Sequence, residues 1–195
     1  MTAPAGNELH IYRNTPPNPN RRQVAWCYNQ SEVMMMAVQT PSRKVSLEEF
    51  YQQLDEDTHA EWVQGEVVPM SPISGEHQSI SEFLLVLIST YARHHQLGEV
   101  RCEPFQMRLA SSSRSSDILF VANEHLSRLQ PTYLDDAADL VVEVLSPESR
   151  ARDRGEKFYE YEEAGGREYW LIDAERKQAE FYQLGEDGVY RTVLA

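Results

Sequence analysis

The sequence has no long apolar run. Its longest stretches reach five or six residues, far short of the roughly 20 that a membrane-spanning helix needs, so no span is expected. Cysteine is scarce as well: only Cys27 and Cys102 occur, which excludes a disulfide framework and points to reduced thiols in the cytoplasm. The opening MTAPAGNELHIYRN lacks the basic start and apolar centre of a secretory signal. No G-x-G-x-x-G string, P-loop or zinc-type Cys/His cluster is present, so neither a nucleotide cofactor nor structural zinc is expected. Positive charge is in deficit, with 18 Lys and Arg against 31 Asp and Glu and a net charge of −13. That balance argues against a broadly basic surface for non-specific nucleic-acid binding. It leaves room for a local basic cleft, or for one in which a metal supplies the positive charge.

What is present fits one domain. The chain has 195 residues, 41% hydrophobic and 25% charged, ordinary values for a globular fold. Residues 1–36 are set apart as a disordered or upstream head, because NTPPNPNRR suits neither a long helix nor a central strand and a Met34–Met36 run follows it. Residues 37–195 form the domain.

Within it, Ser46 followed by Glu49 reads as a capping box opening a short helix to about Leu54. EWVQGEVVPM, residues 61–70, reads as a hairpin turning at Gln64-Gly65. A helix is expected over 76–95, with Ile80, Phe83, Leu84, Leu87, Ile88 and Tyr91 as its buried stripe. Strands are expected over 100–109 and 117–121, joined by a flexible SSSRSS loop, and again over 140–145. LVVEVL is apolar except for one glutamate, the pattern of a central strand covered on both faces. A helix over 150–164 and strands over 168–173, 178–184 and 189–193 complete an α/β fold, a central mixed sheet flanked by helices.

Two carboxylates stand out. Alternation puts Asp117 on one face with Leu119 and Val121, and Glu143 on one face with Val141 and Leu145. An acid inside an apolar strand is costly to desolvate unless a cation or donors meet it. Two such acids with a carbonyl and waters suit Mg2+ or Mn2+, and a nearby lysine would stabilise developing negative charge.

The strings EWVQGEVVPMSPISGEHQ, SSDILFV and DLVVEVLSPESRARDRGEKFYEYEEAGGREYWLID resemble the Uma2 family of restriction-type endonucleases, within the PD-(D/E)XK nuclease superfamily, over residues 44–193. The resemblance implies a restriction-endonuclease-like core and metal-dependent cleavage of DNA. It implies that Asp117 is the acid of the Pro-Asp element, with Ser116 in place of proline, and that Glu143 is the acid of (D/E)XK. The lysine of that motif would fall at 145, where this chain has Leu145; Lys157 in RDRGEK is the matching residue on the following helix. Glu66 is implied as a further metal ligand, His77 as a substrate or phosphate contact, and Glu82 as an extra helix acid. The structural alternatives are an exposed strand acid for Glu66, a loop-bonding histidine for His77 and a helix surface pair with Asp153 for Lys157.

Three readings follow: a Mg2+- or Mn2+-dependent DNA phosphodiesterase, a nuclease-fold binding or regulatory module that has lost cutting, and a two-carboxylate glycosidase. The last is disfavoured because none of the three tryptophans lies near both acids in sequence. A homodimer is expected from the open sheet edges and the superfamily's cutting of two strands.

Overall fold

In a computed structural model, residues 44–54 and 59–193 are described; the head and Cys27 lie outside them. Ser46 and Glu49 close the capping box reciprocally, at 3.1 and 3.0 Å, and start α1 (Leu47–Gln53), whose Phe50 is buried. β1 (Ala60–Val63) and β2 (Glu66–Pro69) pair antiparallel across Gln64 and Gly65. Those two residues have φ of 49° and 96°, the left-handed pair that a two-residue hairpin turn demands. Ser74 caps α2 (Gly75–His94) by accepting from the His77 N–H.

Nine further strands and two short α-helices follow: β3 (Gly98–Cys102), β4 (Gln106–Arg108), β5 (Ser112–Ser115), β6 (Ile118–Ala122), β7 (Tyr133–Asp135) and β8 (Leu140–Val144). Then come α3 (Arg150–Asp153), α4 (Glu156–Glu163), β9 (Glu168–Asp173), β10 (Gln178–Leu184) and β11 (Tyr190–Thr192). The strands form two mixed sheets, one in the order β11-β10-β9-β8-β6-β3 and the other in the order β2-β1-β5-β4-β7.

Three expectations change. The strand over 100–109 is two strands in different sheets, because Pro104 removes a ladder donor between them. The SSSRSS segment is not a flexible loop but the buried strand β5, whose Ser112 and Ser113 hydroxyls donate to Glu160 at 2.7 Å and Gln106 at 3.0 Å. The 150–164 helix is interrupted at Gly155, where a Cβ would lie 2.8 Å from the Ala151 carbonyl oxygen.

β8 lies between β9, its parallel neighbour, and β6, its antiparallel one. Leu119, Val141, Tyr161, Tyr169 and Leu171 form the core on the α4 side of the sheet. Ile118, Leu140 and Val142 meet Leu84, Leu85 and Ile88 of α2 on the other side. Each fully buried Val or Leu contributes about 1.5–3 kcal/mol, so β8 is held from both faces, as its composition requires. The stripe of α2 is corrected: Phe83, Leu87 and Tyr91 are exposed, while Ala92 and His77 are buried. The helix is apolar around more than half its circumference, and it rests on the sheet through the part that carries Leu84, Leu85 and Ile88.

Candidate active site

Every residue of β8 is buried, Glu143 included, at 4% exposure. The β6–β8 register pairs Ile118 with Val142 and Leu119 with Val141. Extended by one residue, it sets Asp117 opposite Glu143, so both carboxylates leave the same face at the end of the ladder. Asp117 is fixed from two directions. Its Oδ2 accepts the Val144 N–H at 2.7 Å, and His77 Nε2 stands 2.7 Å from Oδ1. The Ser81 hydroxyl donates to Oδ1 at 3.5 Å.

Lys157, from the first turn of α4, is buried and carries its ammonium to the same place. Its Nζ donates to Glu143 Oε1 at 2.9 Å and lies 3.1 Å from Glu61 Oε1 and 3.5 Å from Asp153 Oδ1. The Tyr161 hydroxyl donates to Glu143 Oε1 at 3.1 Å. Glu61, fully buried on β1, accepts the Ser115 N–H at 3.3 Å and an Arg114 Nη1 bond at 3.1 Å. Arg114 then forks onto Glu160, Nε to Oε2 at 2.8 Å and Nη2 to Oε1 at 2.6 Å. A continuous ionic lattice thus runs from Glu160 through Arg114, Glu61 and Lys157 to Glu143.

The charges in this lattice do not balance locally. Burial raises the Glu143 carboxyl well above the usual carboxylate range; Asp153 and Asp117 add to the rise, and Lys157 only partly opposes it. Burial opposes charge on Lys157, but Glu143, Glu61 and Asp153 outweigh it and hold the ammonium protonated. Burial likewise pushes Glu61 up, and Lys157 and Arg114 overcome it to hold the carboxyl below its ordinary range. The hydrogen bond to Asp117 raises the His77 imidazole against the effect of burial. At the mouth, burial and then Asp117 push Glu103 up.

A cavity of about 170 Å3 is lined by His77, Glu103, Asp117, Glu143, Glu148 and Asp153, with Arg152 and Lys157 as its cations. Asp153 Oδ1 is buried with no hydrogen-bond partner. A negative, partly unsatisfied cavity of this kind fits a divalent cation. Among the described residues, however, no three His, Cys, Asp or Glu side chains form a ready cation cage. The fit is therefore to an ion that takes one or two carboxylates and completes its shell with oxygens from outside the protein.

Of the residues the sequence singles out, Asp117, Glu143, Lys157 and His77 come together here. Glu66 does not: it is exposed at the turn end of β2, outside the residues lining the cavity. The hairpin's acid at the lattice is Glu61, whose Cα partner is Val68, whereas Glu66 pairs with Val63. Glu82 is exposed and borders an adjoining cavity of about 610 Å3 that shares Asp117 and Glu103. Leu145, in place of the motif lysine, is buried in the core. The pairing of Lys157 with Asp153 is present but buried rather than on a helix surface, and sequence reasoning missed Glu61 and the role of Arg114. The available signals were strand alternation at Glu61 and an arginine among serines.

The family model described as Uma2, "Putative restriction endonuclease", matches residues 47–195. A crystal structure from Anabaena variabilis, described as a putative nuclease belonging to DUF820, superposes with a TM-score of 0.66. It is 17% identical, over 76% of this chain and 83% of that one, a likeness of fold. No curated protein matches the chain.

Proposed function

The chain belongs to the Uma2 family, and on that premise we propose that it is a metal-dependent endonuclease hydrolysing phosphodiester bonds in DNA. The observation that carries this reading is the burial of Glu143 beside Lys157, opposite Asp117, at a cavity short of positive charge. Asp117 and Glu143 would hold the ion, Mg2+ or Mn2+; when bound, it polarises the phosphate and acidifies a water. A cytoplasmic setting and a homodimeric state belong to the same reading.

The protein's own groups have distinct tasks. Lys157 is held protonated by three acids, so it suits stabilising negative charge at the phosphate rather than accepting a proton. Glu61 and Arg114 fix its position. The Val144 N–H and His77 orient Asp117. Beyond Asp117, the 610 Å3 cavity continues past Cys102, Glu103 and Pro104 into one of about 950 Å3 that reaches Arg101. The two cavities share these residues and so offer adjoining volume for part of a nucleic-acid strand beside the site, despite the net charge of −13.

A second reading is a nuclease-fold module that binds without cutting. It is favoured by the full engagement of Lys157 with carboxylates. One experiment separates the two: Mg2+ and Mn2+ titrated against wild type and Asp117→Ala, following plasmid cleavage and thermal stability. Asp117-dependent cleavage supports the enzyme. Asp117-dependent metal stabilisation without cleavage supports the module, and a metal response indifferent to Asp117 removes both.

A further inference from the structure

Helix α2 has two apolar flanks, and among the described residues only one of them is covered. Leu84, Leu85 and Ile88 pack against the sheet, with Ala92 buried beside them. On the other flank Phe83, Val86, Leu87 and Tyr91 are 65, 62, 53 and 60% exposed. Their spacing, i, i+3, i+4 and i+8, is that of a seam for another helix. Of the ten exposed large apolar side chains among the described residues, these four and Leu97 are neighbours, a concentration that scattered surface leucines do not produce. Beside the row a cavity of about 480 Å3 opens between Leu87, Tyr91, Leu97, Phe120, Leu140 and Trp170.

The row is symmetric about its middle. Phe83 and Tyr91 lie four residues to either side of Leu87. Glu82 and Arg93 are eleven residues apart, which at about 100° per residue puts them at nearly the same angle, on one edge of the row. Both are exposed, and neither enters an ion pair among the described residues.

We propose that this face is a self-association surface on which α2 of a second copy packs antiparallel, about a two-fold axis near Leu87. That symmetry lays Leu87 on Leu87 of the second copy and Phe83 on Tyr91 of the second copy, at the mouth of the 480 Å3 cavity. It also sets Glu82 beside Arg93 of the second copy, twice over, as an isologous contact must. Charge is what selects this occupant. Many apolar partners would cover the row, but an antiparallel copy of the same helix offers a cation to Glu82 and an anion to Arg93 together. A parallel pairing would carry this edge to the opposite side of the seam in the second copy and leave both Glu82 and Arg93 without a partner. The surface supplies an interface for the homodimeric state of the reading above and rests on that part of it; its test uses neither DNA nor metal, so its failure leaves the catalytic part standing.

The test is sedimentation of the full chain over a micromolar concentration series. Wild type is expected to dimerise reversibly, and Leu87→Glu to remain monomeric with unchanged circular dichroism, since the side chain is exposed. Glu82→Arg and Arg93→Glu should each weaken the dimer by roughly tenfold, because each reversal creates two like-charge contacts. The double variant Glu82→Arg/Arg93→Glu should return it to within a few-fold of wild type. Monomeric wild type throughout, a Leu87→Glu protein that still dimerises, or a double variant no better than the singles would each overturn the proposal.

Discussion

Lys157 Nζ stands 2.9 Å from Glu143 Oε1, although the lysine belongs to a helix and the glutamate to the central strand. This relationship accounts for Leu145. The strand position where a motif lysine would fall points into the core, where Leu145 is 4% exposed, and the ammonium arrives from α4 instead. The same nitrogen also serves Glu61 and Asp153, so one buried cation is shared by three acids.

Replacing Lys157 with methionine should therefore cost far more than a surface pair would. It leaves Glu143 and Asp153 without their cation and Glu61 with Arg114 alone, and breaking a buried pair typically costs about 3–5 kcal/mol. Urea denaturation of metal-free protein should show a loss in that range. Adding Glu143→Gln to Lys157→Met should recover at least about 1 kcal/mol, since the two groups are in contact. Additive losses would mean that the 2.9 Å contact does not couple them.

Arg114 makes a prediction about shape rather than charge. Its guanidinium forks onto both oxygens of Glu160 and reaches Glu61 with its remaining amine. A lysine keeps the charge but has no planar fork. Arg114→Lys should lose about 1–3 kcal/mol by denaturation, the cost of leaving buried partners unsatisfied. Stability equal to wild type would show that charge alone holds the lattice.

Glu61 gives the pH dependence. Its folded carboxyl is held below the ordinary value by Lys157 and Arg114, against burial. A depressed acid contributes stability above its unfolded pKa, near 4.5, and loses that contribution as pH falls through the lower folded value. Glu61→Gln should thus be less stable than wild type at neutral pH, with the gap closing below about pH 4.5. The slope from this one group cannot exceed about 1.4 kcal/mol per pH unit. A gap that stays constant down to acid unfolding would contradict the ion pairing.

Much of this site was legible because its key strand is extreme in composition. LVVEVL has five apolar residues around one acid, and only a strand covered on both faces suits it. The Ser46 capping box and the Gln64-Gly65 turn were legible because their chemistry is local. Arg114 was not, since its partner Glu61 lies 53 residues away and its neighbours are serines, which have little strand preference of their own. Glu61 and Glu66 share one short hairpin, and only the register decides which acid meets the lattice. The α2 stripe misled because a helix apolar on two flanks does not itself say which flank meets the sheet.

Glu143→Gln combines stability and metal response in one side chain. The amide keeps the shape but removes a charge that burial, Asp153 and Asp117 all disfavour. An acid raised in the folded state contributes stability below its unfolded pKa and loses it as pH rises toward the folded value. The metal-free variant should therefore gain on wild type as pH rises from about 4.5, with Lys157 still balanced by Glu61 and Asp153. Metal should reverse the ranking. An ion present at 100 times its dissociation constant stabilises the wild type by about 2.7 kcal/mol, whereas the variant has lost one of the two proposed ligands and should show little of this shift. Calorimetric melts with and without Mg2+ or Mn2+ at neutral pH measure both effects. A variant that keeps the full metal shift would remove Glu143 from the metal site, whatever its stability without metal.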